Sequence, residues 1–301
     1  MGDNRTNLSS RSHLIYATLL TLLFGHLPLS AGPVKEFQKQ NFNIQQAEYL
    51  NSAQKQQFEM ALKFFRSGKF EDSTQIVQNI QGSQKLQGLK SFMLGRNYLR
   101  LQQYKKAEKA FKEAVKKGHE VKELYYEYGQ VLYALNKLDD AIQAFKLASQ
   151  KEHMKPVSLY YLGHIHQLLE KYKKAKHYYS KILKDKEVDK NLKQIARFQV
   201  AESLLSLARE RNDDVRRLVK TYILPQFEKS YEIDSKSRIA GDIKRRVIEV
   251  TKEFGLGPDT LINGRNIPSR RWKLRFSQDF SYDDNVTFAN DLPTTTSTQK
   301  G

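Results

Sequence analysis

The sequence predicts an all-α protein, a solenoid of stacked helical hairpins, with a short β-strand segment near its C-terminus. Three observations lead there. Gly and Pro number only 15 and 7 in 301 residues while Lys, Gln, Leu, Ala and Glu abound, a composition that favours helix over a sandwich. Gly95, Gly129 and Gly163 recur at an interval of 34 residues, with other columns moving in step. From Trp272 onward the hydrophobic period changes to two. The chain has no Cys, which excludes a disulfide framework, a thiolate nucleophile and Cys-ligated zinc.

The first element is an address. Leu14 to Gly25 is an apolar run, preceded by Arg5 and Arg11 and followed by the small residues Ser30, Ala31 and Gly32. A membrane-spanning helix needs about 20 apolar residues. The run is shorter, so residues 1–31 read as a cleaved signal peptide, with an uncleaved membrane anchor as the alternative. Residues 32–53 form a lead-in helix or linker.

The repeats come next. Twelve residues after each Gly stand Ala107, Ala141 and Ala175, then Phe111, Phe145 and Tyr179, then Ala114, Ala148 and Ile182. Each column has a steric reason. Small residues at Gly and Ala let two antiparallel helices approach closely, and the aromatic fills the space between successive hairpins. The turns between paired helices read Leu-Gln-Gln-Tyr104, Leu-Asn-Lys-Leu138 and Leu-Glu-Lys-Tyr172, each delivering one apolar anchor.

These columns resemble those of the tetratricopeptide repeat (TPR) family, a helix-turn-helix unit that stacks into a right-handed superhelix. With Gly at the eighth position the repeats run 88–121, 122–155 and 156–189. A degenerate first copy, 54–87, carries Ala61, Ser73, Val77 and Ile80 in the same columns. The family's Pro near the repeat end is replaced by His119 and His153, while Pro156 opens the fourth copy at a favourable first-turn position. Beyond Lys190 the interval fails but helices continue: residues 190–254 read as a divergent repeat, restarted or kinked at Pro225, plus a capping helix. Gly255-Leu-Gly-Pro258 ends the helical region and residues 255–271 form a basic linker.

In the family the first helix of each repeat lines the inner groove. The resemblance therefore implies groove residues Phe58, Phe92, Tyr126 and Tyr160 at the fifth position, with Leu62, Arg96, Gln130 and His164 at the ninth. Phe65, Leu99, Tyr133 and Gln167 follow at the twelfth position, and Arg66 and Arg100 at the thirteenth. Aromatics and Arg dominate binding hot spots, so this row suits a peptide or protein client, and an acidic one suits Arg66, Arg96 and Arg100. The opposing reading is that the aromatic row packs against neighbouring helices. Family members that clamp chaperone tails use Lys and Asn where Phe58 and Leu62 stand here, which removes that ligand.

No motif for catalysis is present: no phosphate loop, nucleophile elbow or dinucleotide fingerprint. His164 and His166 are two apart on a helix and diverge, so they do not form the i, i+4 pair that metal binding favours. A non-catalytic chain without cofactor or metal is expected. The formal charge of +18 raises nucleic acid as a partner, but the lysines are scattered as Lys105-Lys106, Lys116-Lys117 and Lys173-Lys174 and the groove positions are mainly aromatic and neutral. A basic RNA- or glycan-binding solenoid is therefore the lesser alternative.

At the C-terminus, Trp272, Leu274, Phe276, Phe280 and Tyr282 share one face of a strand and polar residues the other. A lone strand leaves its edges unsatisfied, so it pairs with a barrel, docks on a partner sheet or lies as a tail along the solenoid. The segment Trp272 to Val286 resembles the opening strand of Gram-negative outer-membrane β-barrels that follow a periplasmic TPR domain, as in surface-lipoprotein assembly modifiers. That resemblance implies further strands after Gly301, since such barrels have at least about 8. The neighbouring Arg265, Arg270, Arg271, Lys273 and Arg275 suit anionic lipid. The combined expectation is an exported, periplasmic or outer-membrane-associated TPR scaffold in envelope assembly or transport, with a membrane-tethered general interaction module as the alternative.

Overall fold

The computed structural model describes residues 48–119, 121–152, 154–210 and 214–256. The 1–31 address, most of the lead-in, the basic linker beyond Leu256 and the strand at Trp272 to Tyr282 lie outside the described residues.

The described residues are all helix and turn, with no strand among them. Four hairpins come first: α1 (Ser52–Arg66) with α2 (Phe70–Asn79), α3 (Gln84–Arg100) with α4 (Tyr104–Lys116), α5 (Lys122–Ala134) with α6 (Leu138–Gln150), and α7 (Lys155–Leu168) with α8 (Tyr172–Lys184). A long α9 (Lys190–Glu210) follows, then a short α10 (Val215–Leu218), a π turn (Val219–Ile223), α11 (Leu224–Ile233) and α12 (Ala240–Glu253).

Local chemistry sets the boundaries. Asn51 and Gln54 form a reciprocal capping box: Gln54 N–H donates to Asn51 Oδ1 at 2.8 Å and Asn51 N–H donates to Gln54 Oε1 at 3.0 Å. Each hairpin turn needs one left-handed residue, and the four copies place Gly68, Gln102, Asn136 and Glu170 there, with φ of 79°, 57°, 57° and 56°. Only the first is Gly, which is why the turn is read better from its apolar anchor than from a glycine.

The small column and the aromatic column meet within each hairpin. A Cβ on Gly95 would fall 2.8 Å from the Phe111 ring, on Gly129 2.9 Å from Phe145, and on Gly163 2.7 Å from Tyr179. All three rings are fully buried, as are Ala107, Ala141 and Ala175. Gly163→Ala is therefore expected to cost about 1–3 kcal/mol through overpacking, read as a lower urea midpoint at unchanged helicity. The degenerate first copy solves the same problem differently. Ala61 faces the shorter Val77, both buried, and Ser73 in the Ala column accepts a hydrogen bond from Asn97 Nδ2 at 3.0 Å, tying the first hairpin to the second.

The fifth hairpin departs from the pattern. Pro225 lies in the first turn of α11, and its missing N–H breaks the α-helical ladder. The chain absorbs this with the π turn immediately before it, so the helix is re-registered rather than ended. The last helix then docks on α9. Arg246 Nε and Nη2 donate to the two carboxylate oxygens of Glu202 at 2.6 and 3.1 Å, and Arg209 Nη2 donates to both oxygens of Glu253 at 2.5 and 2.7 Å. Leu205, Phe227, Ile243 and Val250 form the apolar centre of this end.

Candidate functional site

The first helices α1, α3, α5 and α7 carry the positions expected to line a groove, and the structure sorts them into two layers. Phe58, Phe92, Tyr126 and Tyr160 do not form an exposed ladder: their exposures are 0, 2, 1 and 1 %. The position lies between the two helices of its own hairpin. Phe92 meets Phe111 at 6.2 Å between centroids, Tyr126 meets Phe145 at 6.0 Å, and Tyr160 meets Tyr179 at 5.8 Å. The packing reading of the aromatic row is the one the geometry supports. These rings form the floor, and a ligand meets what lies above them.

The upper layer differs between the two halves. On α1 and α3, Phe65 is half-buried and Arg66, next to it, is exposed. Arg96 places its guanidinium carbon 4.7 Å from the Phe65 centroid and 5.6 Å from Phe92, and Arg100 lies 5.9 Å from Phe65. Such stacking over an aromatic face stabilises a cation by about 0.5–1 kcal/mol or more. Arg96 is also held by Glu127 of α5, with Nε 3.1 Å from each carboxylate oxygen, and that carboxylate is only 1 % exposed. Burial lowers the pKa of Arg100 from its ordinary value, and the Glu127 charge opposes this. Leu62 is half-buried and Leu99 buried in the same region.

On α5 and α7 the corresponding positions carry neutral hydrogen-bonding groups, most of them buried. Gln130 Nε2 donates to Tyr126 Oη at 3.2 Å, Tyr133 Oη and His164 Nε2 are hydrogen-bonded at 2.9 Å, and Tyr179 Oη donates to Gln167 Oε1 at 2.9 Å. Gln167 Nε2 finds no partner among the described residues. Gln130, His164 and Gln167 are buried, and half-buried Tyr133 is the group of this half that solvent reaches.

Three histidines are shielded from solvent. Burial lowers His119, His164 and His166 to about 4, against an ordinary value near 6.5. His166 lies under Tyr178 at 5.3 Å, with Lys174, Lys171 and Lys146 adding to the effect. Because the folded values are depressed, the unfolded chain binds more protons between about pH 6.5 and pH 4. Their contribution is present above pH 6.5 and is lost as pH falls to about 4. The urea midpoint should therefore fall across that window, with a shallower fall for His164→Gln.

Glu127 is the site residue that sequence reasoning misses. It stands 31 residues after Arg96, one position beyond the fifth-position aromatic of the next repeat, so only the pairing of adjacent first helices reveals it.

Family models of the tetratricopeptide repeat match residues 92–152 and 157–184, so the chain carries such repeats over those spans. Among solved structures, YrrB, a TPR protein with an unusual peptide-binding site, is 16% identical, with a TM-score of 0.49 over 63% of this chain and 90% of that one. The nearly identical TPR-like repeats of a putative kinesin light chain from Podosopora anserina are 10% identical, with a TM-score of 0.41 over 67% of this chain and 96% of that one. The C-terminal part of a TPR repeat-containing protein from Cytophaga hutchinsonii is 17% identical, with a TM-score of 0.36 over 65% of this chain and 85% of that one. No curated protein matches the chain.

Proposed function

We propose that the chain is a non-catalytic protein-interaction scaffold whose inner surface binds an acidic segment of a peptide or protein client across α1 and α3. The observation that carries this is the convergence of Arg96 and Arg100 on the face of Phe65, beside the exposed Arg66 and above a floor already filled by Phe58 and Phe92. Arg forms bidentate pairs with carboxylates, and a preorganised cation over an aromatic needs little reordering to do so. Half-buried Tyr133 offers the continuing segment a phenolic hydroxyl rather than a charge.

The test uses the upper layer, because substitutions at Phe92 or Tyr126 would damage the core. A fluorescein-labelled Glu-rich peptide with one Leu is titrated against the protein and an Arg66→Glu, Arg100→Glu double variant. Affinity should fall at least tenfold and its salt dependence should weaken at unchanged helicity. Equal affinity of the two proteins overturns the assignment.

The proposal extends to export and to a role in envelope assembly or transport. Support comes from the Leu14 to Gly25 run, from the alternating apolar face of Trp272 to Tyr282, which would suit a link to an outer-membrane barrel, and from the basic cluster Arg265 to Arg275, whose charge would suit anionic lipid. N-terminal sequencing of the protein recovered from expressing Gram-negative cells tests the first element. A start near Gly32 is expected, and an intact Met1 overturns cleavage.

A further inference from the structure

Comparison of the copies isolates one place where the repeat rule and the charge pattern break together. In the first turns of the second helices, the eighteenth and twenty-first columns read Glu71 and Thr74, Lys105 and Glu108, Asp139 and Ile142, then Lys173 and Lys176. Only the fourth copy carries two cations. Lys105 and Glu108 offset each other, and Glu108 also takes an ion pair from Lys137. Neither Lys173 nor Lys176 has a carboxylate partner among the described residues.

The next hairpin is also irregular there. α9 has 21 residues, whereas the first helices before it have 15, 17, 13 and 14. It runs past the point at which an ordinary first helix turns back, and the return comes through α10 and the π turn instead of a regular second helix. π segments frequently mark functional positions. Between α8, the overhanging end of α9 and the π turn lies a hollow of about 300 Å³. Leu204, Leu207, Leu218 and Tyr222 line it together with Lys173 and Lys176, and no carboxylate is found among its described lining residues. Tyr222 is 55% exposed, a large ring held at the mouth.

We infer that this hollow is a second binding site, for a single-chain anionic amphiphile of the fatty-acid type. The apolar walls take the chain and offer nothing to an inorganic anion. The two ammonium groups, at the positive end of the α8 dipole, take the carboxylate. A short, half-open hollow between three elements, rather than a groove running along helices, suits a chain end better than a peptide.

Isothermal titration of the full chain with sodium dodecanoate below its micelle concentration tests this. One-to-one binding is expected, with dodecyltrimethylammonium at least tenfold weaker and acetate and inorganic phosphate silent. Lys173→Glu, Lys176→Glu should weaken dodecanoate at least tenfold, and Leu207→Asp should do the same, both at unchanged far-ultraviolet circular dichroism. Arg66→Glu, Arg100→Glu should leave it unchanged, which separates this site from the inner surface. No dodecanoate binding, equal binding of the cationic amphiphile, or indifference to the lysine substitutions overturns the inference.

Discussion

Phe145→Ala is expected to destabilise the protein by about 3–5 kcal/mol and to divide its unfolding into two steps. The ring is fully buried, stacks on Tyr161 of α7 at 4.6 Å with an interplanar angle of 3°, and meets Tyr126 of α5 edge-on at 6.0 Å. It therefore joins the third hairpin to the fourth as well as closing its own, against the face that Gly129 leaves open. In a solenoid each hairpin is stabilised by its neighbours, so removing one interface uncouples the two sides. Urea unfolding followed by circular dichroism and by tyrosine fluorescence should give transitions that no longer coincide. A single coincident transition with a loss below about 1 kcal/mol would contradict the coupling role.

Glu202→Ala is the second large effect, and it acts at the C-terminal end of the described helices. Glu202 is 2 % exposed in its side chain and Arg246 13 %, so the pair that docks α12 on α9 is shielded from solvent. Removing the carboxylate leaves the guanidinium with the more exposed Glu249, 3.1 Å away. Breaking a buried pair from one side costs about 3–5 kcal/mol. Hydrogen exchange should accelerate across Ala240–Glu253 well before the hairpins of α3 to α8 respond. Glu202→Gln, which keeps one acceptor, should lose less. The double replacement Glu202→Leu, Arg246→Met should recover most of the stability, because no buried charge is then left uncompensated. Equal protection of α12 in Glu202→Ala and the parent protein would assign its docking to Ile243, Val247 and Val250 alone.

The legible part of the fold is the part that steric repetition writes into columns. Gly95, Gly129 and Gly163 had to be small because a ring of the paired helix occupies the space of their missing Cβ, and the same contact in each copy recurs at the same interval. The inner surface was legible only as a set of positions. Sequence spacing put the fifth and ninth positions on one side of the helix, but that side is shared between neighbouring helices and solvent. Fifth-position aromatics went to the floor, Gln130 and His164 went with them, and Phe65, Arg66, Arg96, Arg100 and Tyr133 were left at least partly exposed. The buried Glu127 carries no local signal, since a glutamate on a helix ordinarily reads as solvated.

What the sequence determined by itself was the α class, the hairpin unit and its register, because these follow from contacts between residues at constant separation. What only the tertiary structure decided was which groups face solvent, which charges are paired, and where the stack leaves a hollow. Arg96 with Glu127 and Arg246 with Glu202 join residues 31 and 44 positions apart across helices whose relative placement no single helix encodes. The hollow beside Lys173 and Lys176 exists because α9 outruns its partner and the chain returns through a π turn, a consequence of packing at the irregular fifth hairpin.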